Sequence, residues 1–202
     1  MSIRPIPKDW IKGGGLHETK DDRSVIIRIK KGDTQAYNIL VKRYMQRAYY
    51  TALGFVGNHD SALDLSQDAF VKAYHAIQKV DEDRNFFTYY YRILRNLCFN
   101  FIRDKKRHAR AFSEIGEVQV RNFENPDSDP SDLLEKQEQK EAVWAAIQQL
   151  KPDHREIIIL KEFRDYSYEE IAKLLDIPIG TVMSRLYHAR KSLKSKLEGV
   201  IL

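Results

Sequence analysis

Apolar residues recur every three or four positions through residues 25–111, lose that spacing between 113 and 131, and recover it afterwards. A period of three to four residues marks an amphipathic helix; the two-residue alternation of a half-buried strand is found nowhere in the chain. The 202 residues are therefore predicted to be all-α, as two small helical domains joined by a flexible acidic linker. The expected boundaries are a flexible extension over 1–24, a helical domain over 25–112, a linker over 113–130 and a second helical domain over 131–202. Pro5, Pro7 and Gly13-Gly14-Gly15 set the extension, and Asn125-Pro126 and Asp129-Pro130 punctuate the linker.

Charge follows the same division. Residues 25–112 carry sixteen basic and eight acidic side chains, a net +8. Residues 113–135 carry Arg121 against seven acids, a net −6, and residues 136–202 carry twelve basic and ten acidic, a net +2. Basic blocks on either side of an acidic strip point to a polyanionic partner more specifically than the overall +5 does.

The sharpest local signal is Ser167-Tyr168-Glu169-Glu170, a capping box in which Ser and the Glu three residues on satisfy each other's free backbone N–H groups. The helix it opens buries Ile171, Ala172, Leu174 and Leu175. Asp176-Ile177-Pro178 makes a short turn, and Val182 and Leu186 face inward on the next helix. Two short helices across a tight turn form a helix-turn-helix, whose second helix enters the DNA major groove. Its predicted DNA contacts are Thr181, Ser184, Arg185, Tyr187, His188, Arg190 and Lys191. A basic helix end that merely complements the helix dipole would explain the last lysines, but not the capped helix and turn before them.

In the first domain, Phe86-Phe87-Thr88-Tyr89-Tyr90-Tyr91-Arg92 places five aromatics in six positions, with Asn96, Asn100, Arg103 and Lys105-Lys106-Arg107 behind them. Aromatics can stack on unpaired bases while cations hold the backbone. The same aromatics can equally be the apolar face of a helix, and spacing alone leaves both readings open. On the preceding helix, Asp64, Gln67 and Asp68 share one polar face; by residue type alone this is an ordinary solvated face.

Three stretches, in this order and at this spacing, resemble the extracytoplasmic-function branch of the sigma-70 family of bacterial RNA polymerase factors. They are Asp64-Leu65-Ser66-Gln67-Asp68-Ala69-Phe70, Phe87 through Asn96, and Tyr166 through Leu186. The resemblance covers roughly residues 25–111 and 131–198. It implies that Asp64, Leu65, Gln67 and Asp68 dock core RNA polymerase at the clamp of the beta-prime subunit, with the beta subunit as a further contact. It implies that Phe86, Phe87, Tyr89, Tyr90, Arg92, Asn96, Asn100, Arg103, Lys106 and Arg107 read the minus-ten element as a single strand. The helix-turn-helix contacts named above would then read the minus-thirty-five element, and the acidic linker would thread the polymerase channel. Promoter DNA and core polymerase are the expected partners, and the family admits an anti-sigma factor. Tyr89 stands where the family often has Trp, and Met183 where it commonly has Lys or Arg.

No enzyme is expected: there is no Gly-rich phosphate loop, no nucleophile motif and no histidine at metal-ligand spacing, so no catalytic residue, metal, cofactor or small-molecule substrate is assigned. The single Cys98 excludes an internal disulfide and fits a reducing cytoplasm. No stretch is long and apolar enough for a membrane span or a signal peptide. A stand-alone helix-turn-helix regulator is the alternative, which would leave residues 25–111 as an effector or dimerisation domain. A nucleic-acid-processing enzyme would need a carboxylate or metal cluster that the basic domain lacks.

Overall fold

The computed structural model describes residues 22–83, 85–113 and 141–201. Residues 1–21 of the expected extension, 114–130 of the expected linker and the helix start expected near Ser131 lie outside these. Among the described residues every regular element is helical.

The first half comprises α1 (Asp22–Lys30), α2 (Tyr37–Val56), α3 (His59–His75) and α4 (Phe86–Ser113). Asp33 caps the short 3-10 turn before α2, its Oδ1 accepting from the Ala36 N–H at 3.1 Å. Gly57 ends α2 in the left-handed conformation (φ 75°), which a residue with a Cβ adopts at a cost. Asn58 then caps α3: its side-chain Oδ1 accepts from the Ser61 N–H at 2.8 Å.

The apolar stripes of α2, α3 and α4 meet in one core through Leu40, Tyr44, Ala48, Phe55, Ala69, Phe70, Tyr90 and Leu94. Two buried hydroxyls tie the helices together. Tyr37 donates to the Phe70 carbonyl at 2.6 Å, and Tyr90 to the Ser66 carbonyl at 2.9 Å. Each is worth about 1 kcal/mol net, and leaving either carbonyl unpaired would cost more.

α4 begins inside the aromatic run, at Phe86, where the Asn85 side chain accepts from the Phe87 N–H at 2.8 Å. The folded part also reaches back to Asp22, which the sequence reading placed in the flexible extension. The Asp22 side chain is buried; it ion-pairs with Arg43, accepts from the Tyr44 hydroxyl at 2.7 Å and accepts from the Phe86 N–H at 3.1 Å. One carboxylate thus fixes α1, α2 and the start of α4.

The second half comprises α5 (residues 141–148), α6 (Pro152–Ile158), a π-helical turn (Ile159–Phe163), α7 (Tyr168–Leu175) and α8 (Ile179–Ile201). Pro152 opens α6, where its missing N–H costs nothing. Trp144, Ile147, Leu150, Ile157, Leu160, Ile171, Leu174, Val182, Leu186 and Ala189 form the core. The capping box is present in full: Ser167 Oγ accepts from the Glu170 N–H at 3.1 Å, and Glu170 accepts from the Ser167 N–H at 2.7 Å. Asp176 ends α7 in the left-handed conformation (φ 57°) and α8 follows within three residues, so the helix-turn-helix is α7 and α8.

The halves touch directly. Gly54 in α2 faces Ile159, and a Cβ built there would stand 3.0 Å from the Ile159 side chain, which would have to give way by a few tenths of an ångström. Gln148 donates to the Gly54 carbonyl at 3.2 Å, and Arg155 donates to the Phe55 carbonyl.

Candidate nucleic-acid interface

α4 advances about 100° per residue, so its side chains divide cleanly between two faces. Phe86, Phe87, Tyr90 and Tyr91 are buried, with relative exposures between 0 and 1%. Phe70 lies 4.3 Å from Tyr90 ring to ring, and Tyr44 lies 5.5 Å from Phe87. The sequence-based assignment of Phe86, Phe87 and Tyr90 to base stacking is corrected on this point. Their rings are the apolar side of an amphipathic helix, and presenting one to a base would require unpacking the core.

Tyr89 is the aromatic of the run that points away, half-buried at the edge of the core. With Tyr89 taken as origin, Arg92, Asn96, Asn100, Arg103 and Arg107 follow at three- and four-residue steps and share its face. Lys106 lies on the flank. Asn96, Asn100, Arg103, Lys106 and Arg107 are exposed. The result is a stripe of one aromatic, two amides and several cations, chemically suited to a single strand: a ring for a base, amides for its edge and cations for phosphates. Arg103 and Arg107 also lie 3.8 and 3.6 Å from the exposed carboxylate of Asp104, pairs worth little in water.

On α8 the inward residues are Val182, Leu186 and Ala189, and the outward face opposite them holds Ser184, Tyr187, His188 and Lys191. Tyr187 is 64% exposed, and its ring meets that of His188 edge to face at 5.3 Å. The other predicted contacts lie on the flanks. Arg190 is held by Glu162 at 2.6 Å. Thr181 and Arg185 are half-buried. Tyr168, Met183, Leu186, Tyr187, Arg190, Lys191 and Lys194 line a shallow groove of about 390 Å³ beside the outward face, apolar below and basic at the rim.

The third face is on α3. Asp64, Gln67 and Asp68 are exposed together, and neither carboxylate has an ion-pair or hydrogen-bond partner among the described residues. Leu65 departs from the expectation, since it turns inward and packs half-buried against the core. Sequence reasoning missed Leu63 and Val71, which are 42% and 54% exposed and flank the acids. The signal that could have found them is their place outside the buried positions Ala62, Ser66, Ala69 and Ala73 of the same helix. Two apolar side chains thus stand in water beside the two acids on this face.

Among the described residues no group of three or more His, Cys, Asp and Glu side chains could hold a metal ion, and no helix is long and apolar enough to cross a membrane.

Comparison with known proteins places these faces in a common frame. Residues 40–108 match the family model for sigma-70 region 2, and residues 140–193 match that for sigma-70, region 4. The first therefore contains the α3 face and the α4 stripe, and the second the helix-turn-helix. The ECF RNA polymerase sigma-E factor of Escherichia coli (strain K12) is 34% identical over 191 residues, 92% of this chain and 99% of that protein. The RNA polymerase sigma-H factor of Pseudomonas aeruginosa is 30% identical over 187 residues, 90% of this chain and 96% of that protein. Among solved structures, CnrH in complex with the cytosolic domain of CnrY shares the fold with a TM-score of 0.62 at 24% identity, over 89% of this chain and 99% of that one. The sigma factor RpoE of Bartonella quintana, solved with the anti-sigma factor NepR, gives a TM-score of 0.59 at 25% identity, over 82% of this chain and 98% of that one.

Proposed function

We propose, on the premise that this chain belongs to the sigma-70 family of RNA polymerase factors and to its extracytoplasmic-function branch, that its three exposed faces divide the work of transcription initiation. The chain is a sigma factor that directs promoter-specific initiation, and the stand-alone regulator is not favoured, because the match extends through the first half as well as the helix-turn-helix.

Asp64, Gln67 and Asp68, with Leu63 and Val71 beside them, dock core polymerase at the beta-prime clamp. The unpaired acids supply orientation and the apolar pair supplies buried area. The α4 stripe takes the minus-ten element as a single strand. A duplex hides base faces, so capture must follow unstacking, which costs a few kcal/mol per flipped base. Tyr89 stacks on the freed base, Asn96 and Asn100 read its edge, and Arg92, Arg103, Lys106 and Arg107 hold phosphates. Ser184, Tyr187, His188 and Lys191 read the minus-thirty-five element in duplex form, with Arg190 and Arg185 at the sides of the groove. The chain acts in the cytoplasm, where polymerase and DNA are. An anti-sigma protein is a further partner; the Bartonella quintana relative is solved with one.

The observation that carries this reading is the single helix face shared by Tyr89, Arg92, Asn96, Asn100, Arg103 and Arg107. Run-off transcription with purified core polymerase on a library of genomic fragments tests it. Transcripts should start at a restricted set of sites with shared sequence near both elements, and Tyr89→Ala with Asn96→Ala should abolish them while leaving the holoenzyme intact. Site-specific transcription unaffected by the double variant would assign the minus-ten role to another surface.

A further inference from the structure

The first two turns of α8 offer few hydrogen-bond donors to a groove. Over residues 179–186 the exposed positions are Ile179, Gly180, Met183 and Ser184, while Thr181 and Arg185 are half-buried. Ile179 is 43% exposed and Met183 54%. They stand four residues apart, and the exposed Tyr187 stands four beyond, so the three side chains form one strip along the helix. Among the described residues, three of the seven exposed large apolar side chains fall on this strip, which makes it a patch and not a scatter of surface residues.

Charge indicates what covers it. Met183 and Tyr187 line the shallow groove whose rim is Arg190, Lys191 and Lys194. An apolar strip that runs into cations fits a polyanion carrying apolar groups between its charges. Duplex DNA is such a partner, because the C5-methyl of thymine projects into the major groove between the phosphate rows.

Position along the helix narrows the contact to a base. The N-terminal residues of a recognition helix are the ones that reach base edges. Guanine presents two acceptors there, N7 and O6, and is read by a side chain that donates to both. Met183 has no donor, so guanine cannot be read from this position. A thioether chain is flexible and polarizable and packs well on a small apolar group. Arg185 does not stand in for it: two residues on, it leaves the helix about 200° further round the axis, on the opposite flank.

We propose that Met183, with Ile179 beside it, sets base preference in the upstream promoter element by packing on the C5-methyl of a thymine in the major groove. This contact rests on the assignment of α8 to duplex DNA in the proposed function, and adds one base pair to those faced by Ser184, Tyr187 and His188.

The test uses holoenzyme assembled from the full chain and purified core polymerase. Promoter fragments are selected from a pool randomised across the minus-thirty-five element, and the bound sequences are aligned. Each thymine of the selected element is then replaced singly by uracil, which pairs identically and lacks only the methyl group. At one position uracil should weaken binding about three- to fivefold, the worth of burying one methyl group. Met183→Ala should bring the thymine and uracil affinities together at that position. Met183→Leu, an apolar side chain of similar volume, should keep most of the difference. Met183→Lys should exchange thymine for guanine there when the selection is repeated. Circular dichroism and retained core binding check that each variant is folded. Equal affinity of wild-type holoenzyme for thymine and uracil at every position overturns the methyl contact. A thymine preference that persists in Met183→Ala gives the methyl to another side chain and overturns the role of Met183. Weaker holoenzyme formation by Met183→Ala with its base preference intact makes the strip a protein contact, which overturns the role equally. If wild-type holoenzyme selects no shared upstream sequence at all, the assignment of α8 to the minus-thirty-five element is what fails, and the methyl contact falls with it.

Discussion

Tyr89 and Tyr90 are neighbours in sequence and opposites in role. Tyr90 is fully buried and donates to the Ser66 carbonyl, so Tyr90→Ala should leave a cavity and an unpaired acceptor, costing about 3–5 kcal/mol in denaturant-melt stability. Tyr89→Ala should cost far less stability and instead block promoter opening, read as loss of permanganate-reactive thymines in the holoenzyme complex. A Tyr89→Ala holoenzyme that opens promoters as wild type does would remove this ring from base capture. Cys98 offers a second check at this scale. It is fully buried, and burial with the nearby Glu156 charge pushes its thiol up to about 12. A thiolate is the reactive species, so at pH 8 the native protein should resist iodoacetamide and become alkylated only in denaturant. Rapid labelling of the native chain would contradict the packing of α4.

At the scale of elements, α3 and α7 show how one helix can carry both a structural and an interaction face. The α3 acids have no partners among the described residues, so Asp64→Lys with Asp68→Lys should leave helicity intact. The double reversal should nevertheless abolish binding to core polymerase, because reversing charge at a complementary face typically costs several kcal/mol. Undiminished core affinity would move the docking site elsewhere. α7 depends on its cap. Ser167→Ala removes the acceptor for the Glu170 N–H and should lower the stability of the second half by about 1 kcal/mol. On α8, Lys191 stands on the outward face and should act through phosphate, so Lys191→Ala should reduce the salt dependence of duplex binding without changing sequence preference.

At the scale of the whole molecule, the chain is two helical units that bury each other's edges through Gly54, Ile159, Arg47 and Glu156. The composition of residues 113–130 predicts that limited proteolysis cuts there. The direct contact predicts in addition that the two fragments stay together on gel filtration at low salt. Fragments that separate at once would show that the contact does not outlive the covalent connection. Gly54→Leu should drive the halves apart while leaving each one's helices intact, since the Ile159 side chain already stands 3.0 Å from the Cβ position.

What the sequence determined alone was local. The capping box at Ser167 and Glu170, the turn at Asp176 and the inward Val182 and Leu186 follow from hydrogen bonds and a 3.6-residue period that span only a few positions. The polar face of Asp64, Gln67 and Asp68 was legible for the same reason. Tertiary structure alone decided which aromatics of the Phe86–Tyr91 run are core. The run fills both faces of a helix start, and only the position of α2 and α3 shows which side is covered. It also decided the role of Asp22, which joins the chain to a backbone N–H 64 residues away, and of Glu156, which meets Tyr91 across 65 residues. Such partners are set by how helices pack, and residue spacing along the chain carries no record of that distance.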